Sequence, residues 1–80
     1  MNKTRLSLNN LCIGQSCRIL GLDAVGIQRR RMLDLGLVNG TSIEAVHKSP
    51  FGDPVAYSVR GSVIALRYED AGKIFIELCD

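Results

Sequence analysis

Between Gly26 and Leu37 the sequence GIQRRRMLDLGL runs without a breaker until Gly36, the one stretch long enough for a real helix. Arg29, Arg30 and Arg31 open it, one strand-like run precedes it, and four follow. The helix therefore reads as an insertion after the first strand of a small β domain. Stepping about 100° per residue puts Val25, Met32, Leu33 and Leu35 on one broad face. Arg29 falls inside that face, while Arg30, Arg31 and Asp34 lie opposite, and Ile27 is an apolar residue on the charged side. Arg30 and Asp34 are spaced for a surface pair of roughly 0.3–0.5 kcal/mol. Asp23 is available as N-cap. Gly36 suits a left-handed cap from which Leu37 folds back onto Met32, the Schellman stop. Asn39-Gly40 is a tight-turn dipeptide leading into the next strand.

The rest of the chain supplies short strands. Gly14 and Gly21 bracket the first, Ser16 to Leu22, with Cys17 and Ile19 on one face and Arg18 on the other. Upstream, Leu6, Leu8 and Leu11 around Asn9-Asn10 suggest a turn that lays the N-terminus across one end of the domain. Thr41 to Lys48 is the second strand, with Ile43, Ala45 and His47 on one face. Ser49 to Pro54 is a loop, since two prolines, a glycine and an aspartate do not fit a central strand. Val55, Tyr57 and Val59 alternate along the third strand, with Gly61-Ser62 as hairpin turn before Val63 to Arg67. Tyr68 to Gly72 suits one helical turn, and Ile74 to Leu78 is the last strand. Five short strands with tight connections predict a closed or half-closed barrel.

Composition narrows the function. Eighty residues make one domain spanning 1–80, and a hydrophobic fraction of 46% is that of a packed globule. A net charge of +2 and a pI of 8.6 are too mild for a strong sequence-independent nucleic-acid binder. The longest uncharged run, Leu6 to Cys17, has twelve residues; a membrane span needs roughly 20 mainly apolar ones. Basic residues near Met1 are followed by no apolar block of a leader peptide. Three cysteines without an export signal point to free thiols in a reducing compartment. The Cys12–Cys17 gap does not fit a zinc knuckle, and these residues with Cys79 and His47 would form a four-ligand site only by spatial coincidence. No metal or cofactor is expected.

No catalytic constellation stands out: there is a single histidine, His47, and the carboxylates are scattered. No phosphate-loop motif is present. Four aromatics and no tryptophan argue against a proline-rich peptide groove or a base-stacking platform. Phe51, at a loop tip between Pro50 and Gly52, is either a partner anchor or folds back onto the barrel. Asp53 reads as a turn-former accepting backbone N–H bonds. The arginine run is either a solvated helix face or a contact for phosphates or acidic protein surface.

Together, Arg29-Arg30-Arg31-Met32-Leu33-Asp34-Leu35-Gly36-Leu37, then Gly40-Thr41, Gly52-Asp53-Pro54, Val59-Arg60-Gly61, Ile64-Ala65-Leu66-Arg67 and Asp70-Ala71-Gly72-Lys73-Ile74 resemble the FeoA family. The resemblance covers nearly the whole chain. It implies an SH3-like barrel with a helix after the first strand, and a small cytoplasmic accessory protein of bacterial ferrous-iron uptake. The implied partner is FeoB, an inner-membrane transporter with a cytoplasmic G-protein domain. Despite a family-level association with transition-metal ions, the resemblance implies neither an enzyme nor an iron carrier. This chain departs from the pattern at Val38-Asn39-Gly40, where a proline commonly precedes the glycine, and its cysteines lie outside the motif.

The resulting expectation is a non-enzymatic adaptor, peripheral to the inner membrane through its partner, without membrane insertion or nucleic-acid binding of its own. Its contact surface would comprise Arg30, Arg31 and Asp34 on the helix and Phe51, Gly52 and Asp53 in the loop. Arg29 would brace the helix on the barrel, and Gly36, Gly40 and Gly61 would serve backbone geometry. The alternatives are a nucleic-acid-binding barrel or a regulatory domain related to the SH3-like domain of metal-dependent repressors. Weak self-association stays open.

Overall fold

The computed structural model describes residues 6–79; Met1 to Arg5 and Asp80 lie outside the described residues. The elements are β1 (Leu6–Ser7), a 3-10 turn (Leu8–Asn10), β2 (Ser16–Leu22), α1 (Gly26–Asp34), β3 (Ser42–Lys48), β4 (Val55–Val59), β5 (Ser62–Leu66), α2 (Tyr68–Ala71) and β6 (Ile74–Leu78). The strands form one antiparallel sheet in the order β1-β6-β2-β3-β4-β5. Six strands replace the expected five, because Leu6 and Ser7 pair with Ile76 and Phe75 before the chain turns. Alternate residues of the long strands (Cys17, Ile19, Ile43, Ala45, Tyr57, Val59, Leu66, Ile74 and Ile76) join Leu8, Met32, Leu37 and Ala71 in a single buried cluster. One face of the sheet thus wraps around one core, the SH3-like layout.

Two bulges break the period of two. Ile19 pairs with Ile76 and Gly21 with Phe75, so Leu20 is an extra residue and is turned out to solvent. In β3 the register shifts between Ala45 and His47. His47 is exposed rather than on the buried face of Ile43 and Ala45, as strict alternation required.

The hairpin between β4 and β5 also shifts by one residue. Val59 pairs with Ser62, making Arg60-Gly61 the two-residue turn in place of Gly61-Ser62. Both have positive φ, 53° and 84°, the signature of a type I′ turn, whose twist matches that of the flanking strands. Glycine adopts this conformation freely, whereas an L side chain there costs about 1–2 kcal/mol. Arg60 is the one non-glycine residue with positive φ among the described residues.

The end of α1 forms as expected. Gly36 takes φ 94°, its amide donates to the Leu33 carbonyl at 3.0 Å, and the Leu37 amide donates to Met32 at 3.0 Å. The Thr41 amide then bonds the Val38 carbonyl at 3.0 Å, closing a turn in which Gly40 has φ 91°. The helix start differs from expectation. Val25 is the N-cap, without a side-chain cap bond, because the Asp23 amide donates to the Lys73 carbonyl at 2.6 Å. That bond continues the β2–β6 ladder and leaves Asp23 two residues upstream of the N-cap.

Candidate functional site: the α1 face and the 49–54 loop

Helix α1 buries only Met32; Leu37, just past its end, is fully buried as well. Each such side chain contributes roughly 1.5–3 kcal/mol, so the helix rests on little more than these anchors and one polar bridge. That bridge is Gln28, whose Nε2 donates to Asp70 Oδ1 at 3.0 Å while its Oε1 accepts from Lys73 Nζ at 3.0 Å. The expected apolar face is therefore mostly wet: Val25 is 84% exposed and Leu33 and Leu35 are partly exposed, while Ile27, expected on the charged side, is 76% exposed. The reason lies in the Schellman turn, which delivers Leu37 to the core and leaves Met32 as the helix's single inward residue.

Arg29 does not point inward either. It is exposed, and among the described residues it has no hydrogen-bond or ion-pair partner. With Gly26, Arg30, Leu33 and Asp34 it lines a shallow hollow of about 350 Å³. Arg30 and Asp34 share that hollow without forming the anticipated ion pair. Arg31 lies elsewhere, in a groove of about 480 Å³ with Ile27, Gln28, Met32, Leu35, Leu66 and Asp70. The structure thus separates two arginines that the helical period had placed on one face.

The 49–54 loop is tightened by Gly52 N–H to Ser49 O at 2.8 Å and Ser49 N–H to Pro54 O at 3.2 Å. Phe51 stands at its tip, 96% exposed, and does not fold back onto the sheet. Gly52 takes φ 88°. Asp53 does accept a backbone bond, but a distant one: the Tyr68 amide donates to its Oδ1 at 2.8 Å. Asp53 thereby caps the first free amide of α2, a role that local turn chemistry did not disclose. Asn9 Nδ2 donates to the Tyr68 carbonyl at 3.1 Å, so α2 is tied from both sides. Asp53 reaches α2 through Tyr68 and Gln28 reaches it through Asp70, which makes α2 the common support of loop and helix.

Ionisable chemistry is sparse. Burial, helped by the charge of Cys79, pushes the Cys17 thiol from 9.0 up to about 11. Burial, then the charges of Cys17 and Asp53, raises the Tyr57 hydroxyl from 10.0 to about 12. Both groups stay neutral and inert near neutrality, which suits core residues rather than nucleophiles. Cys12 and Cys79 are exposed free thiols. Among the described residues no group of three or more His, Cys, Asp or Glu side chains is placed to hold a metal ion. Among the same residues no helix is long and apolar enough to cross a membrane. What the arrangement offers is surface: arginines unpaired among the described residues beside exposed apolar side chains, and an exposed aromatic on a braced turn.

Comparison with known proteins gives this surface a context. The FeoA domain family matches residues 6–78. The chain is 37% identical over 73 residues to the Fe(2+) transport protein A/Fe(2+) transporter FeoB fusion protein of Porphyromonas gingivalis, covering 91% of this chain. It spans only 9% of that relative's length. Among solved structures, the FeoA-like protein of Clostridium acetobutylicum is 32% identical with a TM-score of 0.85, over 96% of this chain and 90% of that one. A zinc-complexed FeoA of Stenotrophomonas maltophilia, described as a prokaryotic SH3 domain protein, is 25% identical with a TM-score of 0.80, over 90% and 89%. A manganese-dependent transcriptional repressor, at 14% identity, TM-score 0.84, and coverage of 98% and 38%, shares the fold alone.

Proposed function

The chain belongs to the FeoA family, and on that premise we propose that it is a non-enzymatic accessory protein of ferrous-iron uptake. It docks on the cytoplasmic G-protein part of a FeoB-type transporter and modulates that transporter's assembly or activity. The observation that carries this reading is the match to a relative in which a FeoA part and a FeoB part form one protein. A covalent link of that kind keeps two modules at high effective concentration, and separate chains must replace it with a docking surface. The chain corresponds to 9% of that relative's length, and transport itself is assigned to the FeoB part.

The α1 face and the 49–54 loop are the surface we assign to docking. Arg30, Arg31 and Asp34 contribute charge, and Phe51 contributes an exposed aromatic anchor held by the turn at Gly52. Asp53 acts indirectly, by fixing α2 beneath both. The protein works in the cytoplasm, peripheral to the inner membrane through its partner. Likeness to a manganese-dependent transcriptional repressor is one of fold, so no second reading is advanced.

The test is titration of the chain against FeoB in nanodiscs, with and without guanine nucleotide. Saturable binding in at least one nucleotide state is expected. Absence of binding in every state overturns the reading.

A further inference from the structure

Arg60 has no role in the docking surface drawn above, yet its setting is unusual in three respects. Its backbone is held at φ 53° in a turn where Asn or Gly is the relaxed choice. Its stem lies across the end of α1: a Cβ built on Gly36 would sit 3.2 Å from Arg60 Cδ and 3.7 Å from Nε. Its head is exposed, without a hydrogen-bond or ion-pair partner among the described residues. The side chain is thus positioned by backbone and stem while its guanidinium remains unused.

That guanidinium borders a hollow of about 210 Å³ lined by Ser16, Ser42, Ile43, Glu44, Ser58 and Arg60. Ser16, Glu44 and Ser58 form a cross-strand row on the outer face of β2, β3 and β4. The hydroxyls of Ser16, Ser42 and Ser58 make no hydrogen bond among the described residues. The hollow thus offers one guanidinium and three hydroxyls able to donate or accept, with Glu44 the opposing charge.

We infer that Arg60 is a docking residue whose guanidinium takes a carboxylate on a segment of the protein partner, the serine hydroxyls bonding that segment's polar groups. This rests on the docking reading above and adds a residue and a chemistry to it. A guanidinium fork matches a carboxylate in a bidentate manner. Glu44 repels a multiply charged anion such as phosphate, whereas a peptide segment brings N–H donors for Glu44 along with its carboxylate. Pre-positioning by Gly36 and the turn lowers the ordering cost of the contact.

The experiment compares the full chain with Arg60→Asn and Arg60→Lys, measuring affinity for FeoB in nanodiscs and thermal midpoint. Asn relaxes into the left-handed turn, so Arg60→Asn is expected to melt no lower than the parent. It is expected to bind at least about tenfold more weakly, the scale of one charge-assisted pair. Arg60→Lys, with the charge but not the fork, falls between. Unchanged affinity in Arg60→Asn overturns the inference, as does a midpoint that drops with affinity, which would make Arg60 merely a brace for α1. Binding of the parent to empty anionic nanodiscs that Arg60→Asn abolishes would assign the group to lipid and also overturn it. If the unsubstituted chain fails to bind FeoB in any nucleotide state, the docking reading itself has failed and this inference falls with it. That failure is visible before any variant is made.

Discussion

Helix α2 has four residues and is fastened by side chains from elsewhere in the chain: Asp53 on its first amide, Asn9 on the Tyr68 carbonyl and Gln28 on Asp70. Helix α1 has nine residues, yet buries one of them and leaves three arginines without partners among the described residues. Anchoring here is inverse to length. A helix this short cannot persist by propagation and exists because tertiary bonds hold it. The longer one leaves most of its surface uncommitted, because a buried Met32 and Leu37 and the single Gln28 bridge to Asp70 and Lys73 hold it down. The end of the molecule around the 3-10 turn and α2 is invested in structure, and α1 is left available for contact.

The largest test of that contrast is a pair of truncations. Leu8, fully buried beside α2, should lose about 2–5 kcal/mol on Leu8→Ala in urea denaturation. Ile27→Ala, on the exposed flank of α1, should stay within about 0.5 kcal/mol of the parent. A cost for Ile27→Ala near that of Leu8→Ala would break the comparison.

Alkali should attack the structural side next. The folded pKa values of Cys17 and Tyr57 lie above their ordinary ones, so between the two values the unfolded chain releases a proton that the folded chain retains. Stability contributed by these groups is complete below about pH 9 and declines from there to about 11 for Cys17, then from 10 to about 12 for Tyr57. Thermal midpoints measured across pH 8–12 (roughly the span of both titrations) should fall. In Cys17→Ala the onset should move up by about one pH unit, to the Tyr57 range. At neutral pH, maleimide should label Cys12 and Cys79 while sparing Cys17 until the chain unfolds.

Smaller again is the cap on α2. Asp53→Ala removes the acceptor for the Tyr68 amide and should cost about 1 kcal/mol, seen as a lower thermal midpoint. Asp53→Asn keeps an acceptor oxygen and should recover most of it. If Asp53→Ala melts like the parent, α2 is held by Asn9 and Gln28 without its cap.

These cases show what was readable in the sequence. Strand-like apolar runs located β2 and β6 to the residue, and Gly36-Leu37 disclosed the helix stop, because such runs and Schellman chemistry are local. The bulges at Leu20 and Val46, the pairing of Leu6-Ser7 with β6 and the Arg60-Gly61 turn were not legible. Each depends on register against a strand distant in sequence, which a local period does not encode. The same holds at the candidate site. Phe51 between Pro50 and Gly52 marked an exposed tip correctly as one of two alternatives. Gln28 and Asp53 act through partners 42 and 15 residues away, and no nearby motif pointed to either bond. Arg29 was misplaced because an ideal wheel assigns an inward face to a helix that has almost none.

The smallest expected effect on stability carries the finest test of α1. Arg30→Glu and Arg31→Glu both reverse an exposed charge that is unpaired among the described residues, so each should leave the thermal midpoint close to the parent's, within about 0.5 kcal/mol. Their effects on FeoB binding should differ, because the side chains face different hollows. Arg31 sits between the exposed apolar residues Ile27 and Leu35, where a docked segment excludes water and strengthens a charge pair. Arg30 shares an open hollow with Arg29 and Asp34, where solvent and a neighbouring carboxylate damp the reversal. Titration at two salt concentrations should show the larger loss for Arg31→Glu at both, with the Arg30→Glu loss fading as salt rises. Equal, equally salt-sensitive losses would mean that the partner reads the arginine run as one undivided charge, and the division of α1 into two hollows would then have no bearing on docking.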